Sequence, residues 1–414
     1  MSVISIFSSI FCNEEPVITG LSSHTGSRVL RDSDIVSEAS HISGIPYSKM
    51  ERAFSAKTSV FNKFTHERER SIAHMKLALA RMLNREELII EGFVSHLIPR
   101  EISHILHICL IADLSSRVST ALEKQGLTKN EAVKLIRKQD EDRAVWINTL
   151  SNKDDPWDPS LYDILIPTDK RDPGEILAVI DRSIRNDAVK PTLYSQQAVN
   201  DFLLSAEVEV GLALEGHNVQ VKASNGEVTL TINKHVLMLS HLEEELKHIA
   251  GQTPGVKTVT TKVGPGFHQA DIYRKFDFET PSKILLVDDE REFVQTLSER
   301  LLIRDMGSVV SYDGESALQL IKEDEPEVMI LDLRMPGIDG IEVLKRVKRT
   351  NPRVEVIILT GHGSEADKKV CMELGACDYL QKPVDIDKLS ASIKRADEKI
   401  RLEKASEKHP SDRK

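Results

Sequence analysis

The chain runs to 414 residues, with 55 Lys and Arg against 65 Asp and Glu, a formal net charge of −10 and 40% hydrophobic residues. At about 100–200 residues per domain, this length predicts two to four domains, each able to bury a sizeable core. The acidic balance excludes a chain-wide electrostatic footprint for nucleic acid or an anionic membrane surface. No run approaches the ~18 consecutive apolar residues of a membrane span, so no transmembrane helix is predicted.

The cysteines, Cys12, Cys109, Cys371 and Cys377, form no CxxC pair. That argues against zinc and dithiol chemistry and suits a reducing, cytoplasmic setting. They read as small buried hydrophobes. Residues 1–12 are apolar, but they lack a basic start and run into Glu14-Glu15. They therefore read as a first buried strand and not as a signal peptide.

The first region, 1–186, alternates apolar strands at 3–7, 87–90, 105–111 and 162–166 with helices at 63–84, 114–124, 129–150 and 173–185. Such alternation predicts a parallel sheet covered by helices. Thr128 with Glu131 forms a capping box for the helix that follows. Trp146 and Trp157 read as core anchors.

The second region, 187–280, reads helix, strand, strand, helix, strand, a small α+β domain. Asn225-Gly226 between the alternating runs 219–222 and 227–231 is a hairpin signal, and a third strand is predicted over 257–263. Its histidines, His217, His235, His241 and His248, have no metal-ligand grouping and read as scattered surface residues. Gly264-Pro265-Gly266 then opens a polar linker reaching Pro281.

The third region, 281–402, carries five strands, at 284–288, 308–312, 328–333, 354–360 and 379–381, alternating with helices. A polar tail, 403–414, follows. The pattern predicts a doubly wound, flavodoxin-like (βα)5 sheet, with ligands bound outside the carboxyl ends of its strands. Asp288-Asp289, Asp332, Thr360-Gly361 and Lys382-Pro383 all fall at those ends. Crowded carboxylates repel, and a hard dication such as Mg²⁺ relieves the repulsion. A carboxylate beside that charge can attack a phosphoryl group to form an acyl phosphate. Lys382 and Thr360 supply an ammonium and a hydroxyl to the phosphoryl oxygens.

These motifs, with the flanking Leu286-Val287-Asp288-Asp289-Glu290 and Leu331-Asp332-Leu333-Arg334-Met335-Pro336-Gly337, resemble the receiver domain of bacterial response regulators. The resemblance covers 282–402. It implies that Asp332 is the phosphoacceptor, that Asp289 and Asp332 hold Mg²⁺ with the carbonyl of Arg334, and that Asp288 acts partly through water. Tyr379 corresponds to the aromatic switch, which turns inward as Thr360 moves towards the phosphoryl group. The implied partner is a sensor histidine kinase or phosphotransfer protein.

The first region resembles the cytidylate kinase-like family of P-loop kinases. The likeness rests on Leu106-His107-Ile108-Cys109-Leu110-Ile111-Ala112, Gly126-Leu127-Thr128-Lys129-Asn130-Glu131-Ala132, Asp140-Glu141-Asp142-Arg143 and Asp158-Pro159-Ser160-Leu161-Tyr162-Asp163. In that family a Gly-rich loop after the first strand cradles phosphate with backbone amides. Here the equivalent residues, Phe11, Cys12, Asn13, Glu14 and Glu15, include no glycine or lysine and carry two acids. Glu91-Gly92-Phe93 stands where the family has a glycine–arginine pair. Arg137 and Arg143 match the family's lid arginines or are surface helix arginines. The region is expected to be a catalytically inactive, kinase-like interaction or sensory module.

The middle region resembles a BON domain, through 219–230 and 253–259. The expected function is a phosphorelay response regulator whose receiver switches a non-DNA-binding N-terminal output. The alternative is a receiver-gated nucleotide kinase of cytidylate type. A DNA-binding regulator would need a helix-turn-helix, and none is evident.

Overall fold

The computed structural model describes residues 3–83, 87–236, 238–268, 283–361 and 363–408. Contacts divide the chain into two units, 1–58 with 67–273, and 59–66 with 274–414.

The first unit contains a five-stranded, wholly parallel sheet. Its strands are β1 (Val3–Ser8), β2 (Arg28–Arg31), β3 (Leu88–Glu91), β4 (Ile105–Ile111) and β5 (Ile164–Pro167), in the order β2-β3-β1-β4-β5. All six residues of β1 are buried, as both faces of a parallel sheet are covered. On one face Ile4, Ile6, Leu106 and Ile108 pack with Val17, Ile18, Ile176 and Ile180. These last four lie on the helices Glu15–Thr25 and Pro173–Ile184. On the other face Val3, Phe7, Ile105 and Cys109 join the core that takes in the helix Glu67–Leu83 and Trp146.

The four strands read from sequence are present, and the structure adds β2 and the helices Glu15–Thr25 and Asp32–Ser43. The helix Lys129–Ser151 is capped as read: Thr128 Oγ1 accepts from Glu131 N, and Glu131 Oε2 accepts from Thr128 N at 2.9 Å. Trp146 is fully buried, and Trp157 packs at the edge of the same core. Cys12, Cys109 and Cys371 are buried, Cys377 half-buried, and all four are free.

The same unit carries a three-stranded sheet of β6 (Gln220–Ser224), β7 (Glu227–Ile232) and β8 (Thr258–Val263), with β6–β7 antiparallel and β7–β8 parallel. The helices Leu193–Leu214 and Leu239–Gly251 complete the predicted element order. Asn225 and Gly226 turn the hairpin at φ 52° and 88°, the pair of positive values a type I′ turn requires. His217 is buried, not at the surface, with Nε2 3.4 Å from Glu245 Oε1. The adjoining Val219 and Leu212 carry it into the small core.

The second unit holds β9 (Ile284–Val287), β10 (Ser308–Ser311), β11 (Val328–Leu331), β12 (Glu355–Thr360) and β13 (Asp378–Gln381). All run parallel in the order β10-β9-β11-β12-β13. This is the doubly wound, flavodoxin-like order. Alternate residues of β9 divide between two cores, Leu285 and Val287 on one face and Ile284 and Leu286 on the other. The strand order reverses beside β9, with β10 on one side and β11 on the other, so the carboxyl ends of β9 and β11 flank the switch point. The linker's residues 269–282 and the tail beyond Lys408 lie outside the described residues, and residues 403–408 continue the helix Ile386–Lys408.

Candidate functional site

The strands β9 and β11 run out into carboxylates, β12 ends in a hydroxyl and β13 leads to an ammonium, and the parallel register delivers these ends to one edge. Val287 lies beside Leu331 and Ser311, so Asp288 and Asp332 emerge side by side after β9 and β11. Asp288 and Asp332 are only 4% and 5% exposed. Carboxylate oxygens of Asp288, Asp289 and Asp332 all lie within 4.8 Å of one another.

Lys382, which follows β13, brings its ammonium into this cluster. Its Nζ lies 2.6 Å from Asp288 Oδ2, 2.9 Å from Asp332 Oδ2 and 2.9 Å from Glu290 Oε1. The Phe293 ring sits 4.5 Å away. Burial alone would lower the lysine's affinity for its proton. Its hydrogen bonds to Asp288, Glu290 and Asp332 outweigh that and hold it above the ordinary lysine range. Burial pushes the Asp288 carboxyl up, and the Lys382 hydrogen bond and the Glu290 N–H counter it only in part. The second Asp288 oxygen accepts from Glu290 N at 2.9 Å, and Asp332 Oδ1 accepts from Arg334 N at 3.3 Å. Each buried carboxylate is thus oriented by a backbone amide, while its other oxygen faces the ammonium.

Thr360 ends β12 and is fully buried. Tyr379 packs from β13 against the core beneath it, and its hydroxyl is buried without a hydrogen-bond partner among the described residues. A Cβ added to Gly363 would overlap that hydroxyl and lie 3.0 Å from Thr360 Cγ2. The tyrosine is therefore lodged against the loop after Thr360. The structure brings together the sequence-predicted Asp288, Asp289, Asp332 and Lys382, with Arg334, Thr360 and Tyr379 adjoining. In the sequence Glu290 stands only as part of a motif. Its contact with Lys382 depends on the path of the chain after β9.

The donor set fits a hard dication. All the candidate ligands are oxygen, clustered and oriented, and their summed charge exceeds what one ammonium neutralises.

At the carboxyl end of the first sheet, the loop after β1 has an unusual backbone. Phe11 and Asn13 adopt φ of 62° and 60°, a region that favours glycine. Phe11 is held there by burial among Val118, Ala121, Ala132 and Ile136. The Cys12 Sγ donates to Leu110 O, and burial pushes the thiol far up. Arg117 donates to Ile10 O and clamps Asp140 with two bonds, of 2.9 and 2.7 Å. Arg143 donates to Ser8 O at 2.8 Å and lies over the Phe93 ring, whereas Arg137 is exposed.

A cavity of about 560 Å³ opens beside this loop, lined in part by Glu14, Arg31, Asp32, Glu91 and Arg143. Gly92, at φ 107°, admits the Asp32 carboxylate, which a Cβ would overlap. Asp32 accepts from Phe93 N and Val94 N at 3.0 and 2.9 Å. Burial raises its carboxyl to about 6, with those two amides opposing.

Residues 284–394 match the family model of the response regulator receiver domain, and residues 3–170 that of the cytidylate kinase-like family. The transcriptional regulatory protein CpxR of Escherichia coli is 43% identical over 113 residues, covering 27% of this chain and 48% of that protein. A probable transcriptional regulator, ycf27, of Guillardia theta is 40% identical over 118 residues, covering 28% and 46%. The chain spans about half the length of these curated relatives. The receiver domain of a putative Luxo repressor protein from Vibrio parahaemolyticus is 29% identical, with a TM-score of 0.30, covering 31% of this chain and 99% of that one. A receiver domain protein from Clostridium thermocellum is 34% identical, with a TM-score of 0.28, covering 29% and 97%. Residues 284–394 are a response regulator receiver domain, and residues 3–170 form a domain of the cytidylate kinase-like family.

Proposed function

We propose that this protein is a cytoplasmic phosphorelay response regulator in which Asp332 accepts a phosphoryl group from the phosphohistidine of a sensor kinase or phosphotransfer protein. The observation that carries this reading is the Asp288–Asp289–Asp332 cluster bridged by Lys382.

A carboxylate oxygen of Asp332 attacks phosphorus, the P–N bond to the donor imidazole breaks, and the imidazole leaves with that electron pair. Asp289, Asp332 and the Arg334 carbonyl would hold Mg²⁺, with Asp288 partly through water. When bound, the ion offsets charge on the phosphoryl oxygens. Lys382 then exchanges its contact with the Asp332 carboxylate for one with a phosphoryl oxygen. The Thr360 hydroxyl donates to another, and Tyr379 follows the Thr360 loop.

The output is assigned to the N-terminal unit acting as an interaction or sensory module that neither binds DNA nor phosphorylates nucleotides. Its β1 loop turns the Phe11 and Cys12 side chains into the neighbouring cores and carries the Glu14 and Glu15 charges, with no glycine or lysine, where phosphate would need converging amides. A pull-down comparing phosphorylated and unphosphorylated protein tests the assignment. A partner captured equally by both forms, or duplex DNA retained by either, would contradict it.

A further inference from the structure

The Lys382 ammonium has three N–H donors, and three carboxylates face it: Asp288 Oδ2 at 2.6 Å, Asp332 Oδ2 at 2.9 Å and Glu290 Oε1 at 2.9 Å. Asp288 and Asp332 belong to the proposed phosphorylation chemistry, and Glu290 does not. Its carboxylate stands outside the Asp288–Asp289–Asp332 group whose oxygens lie within 4.8 Å of one another. Its side chain is 63% exposed, whereas both aspartates are buried.

The local backbone aims Glu290 at the lysine. Glu290 N donates to Asp288 Oδ1 at 2.9 Å, which fixes the root of the side chain. Glu290 is also the N-cap residue of the helix Arg291–Leu302, yet its side chain makes no capping bond. A carboxylate there gains from the helix N-terminus in any case; this one accepts a hydrogen bond from Lys382 Nζ. The Phe293 ring, in the first turn of the same helix, lies 4.5 Å from the same nitrogen. Glu290 and Phe293 thus form a second seat for the ammonium beside the aspartates.

That seat opposes phosphorylation. When Asp332 becomes an acyl phosphate it loses its carboxylate charge, and the N–H it accepted turns to a phosphoryl oxygen. Lys382 then bridges that oxygen and Glu290. Two groups bonded to one nitrogen are no more than about 6 Å apart, twice a hydrogen-bond length. At that separation two anions repel, and Glu290 draws on the same positive charge that the phosphoryl oxygens need. Asp288 already orients the lysine from a buried position, so Glu290 is not required to keep it in place.

We propose that Glu290 is a positioning residue that competes with the phosphoryl group for Lys382 and so weakens the receiver's hold on that group. The proposal rests on the reading of Asp332 as phosphoacceptor. It makes the phosphorylated state easier to leave than Lys382 and the three aspartates alone would allow.

The test titrates the full-length protein with beryllofluoride, a phosphoryl mimic, by calorimetry at saturating Mg²⁺. Glu290→Gln keeps the shape of the side chain and removes its charge, and Glu290→Ala removes both. Each variant should bind beryllofluoride about two- to fivefold more tightly than the wild type, the range of an exposed ion pair. In about 1 M NaCl, where the screening length falls to about 3 Å, both ratios should approach one, which a merely structural role would not produce. Circular dichroism checks the fold of the two variants, whose substitution lies at an exposed position. Unchanged or weaker binding by Glu290→Gln, weaker binding by Glu290→Ala, or a gain that persists in 1 M NaCl would each overturn this proposal alone. A wild type that binds no beryllofluoride would overturn the phosphoacceptor reading and this proposal with it.

Discussion

Replacing Lys382 by alanine removes the ammonium that lies between Asp288, Asp332 and Glu290. The three contacts are unequal. Glu290 has a side chain 63% exposed, so its share is below about 1 kcal/mol. Asp288 and Asp332 are buried, and deleting one partner of a buried ion pair costs about 3–5 kcal/mol. The low end applies, because burial has already raised the Asp288 carboxyl and lets it take up a proton. A loss of about 3 kcal/mol is about a hundredfold faster exchange for amides that open with the site. Hydrogen exchange read by mass spectrometry on peptides covering 284–290 and 328–334, in chelator, should show it. Millimolar Mg²⁺ should recover most of the loss in Lys382→Ala and add less to the wild type. Phosphorylation of Asp332 should persist in the variant while the protection change near Thr360 and Tyr379 disappears. Wild-type exchange of Lys382→Ala in chelator would refute the electrostatic role given to Lys382.

Tyr379→Phe deletes a buried hydroxyl that has no partner among the described residues, so the receiver should unfold at an equal or slightly higher urea concentration, by up to about 1 kcal/mol. A loss above that would mean the hydroxyl is satisfied in solution. Gly92→Ala drives a Cβ into the Asp32 carboxylate at φ 107°, and thermal unfolding of the first unit should reveal a loss of about 2–4 kcal/mol. The Asp32 carboxyl sits at about 6 in the fold against an ordinary 3.8. Its contribution to stability is therefore full below about pH 4 and is lost as pH rises through about 6; a carbon-detected titration of Asp32 should place the midpoint there. MgATP should give no calorimetric heat of binding at micromolar concentration with the full chain, and a coupled assay with CMP should show no turnover. Micromolar binding that is lost in Arg143→Ala would instead support the kinase alternative.

The receiver was legible because its chemistry is written at strand ends. Five apolar runs alternate with helices, and four of them stop at an acid, a threonine or a lysine, so topology alone assembles Asp288, Asp289, Asp332, Thr360 and Lys382. Glu290 was not legible in that way, since its reach to Lys382 depends on the backbone turn after β9. In the first unit, β2 escaped notice because its four residues, Arg28 to Arg31, bury only Leu30, as an edge strand does. The β1 loop was legible in composition but not in shape. Nothing in Phe11-Cys12-Asn13 announces two left-handed residues, which persist because the Phe11 ring is buried. His217 was misread for a similar reason, since its burial is set by packing between elements distant in sequence.

The most direct test of the central claim is intact-mass measurement of the full chain after incubation with acetyl phosphate and Mg²⁺. The wild type should gain the mass of one phosphoryl group, labile to hydroxylamine as an acyl phosphate is. The gain should vanish in Asp332→Asn and on chelation of Mg²⁺. An undiminished gain in Asp332→Asn would contradict the assignment of Asp332 as phosphoacceptor.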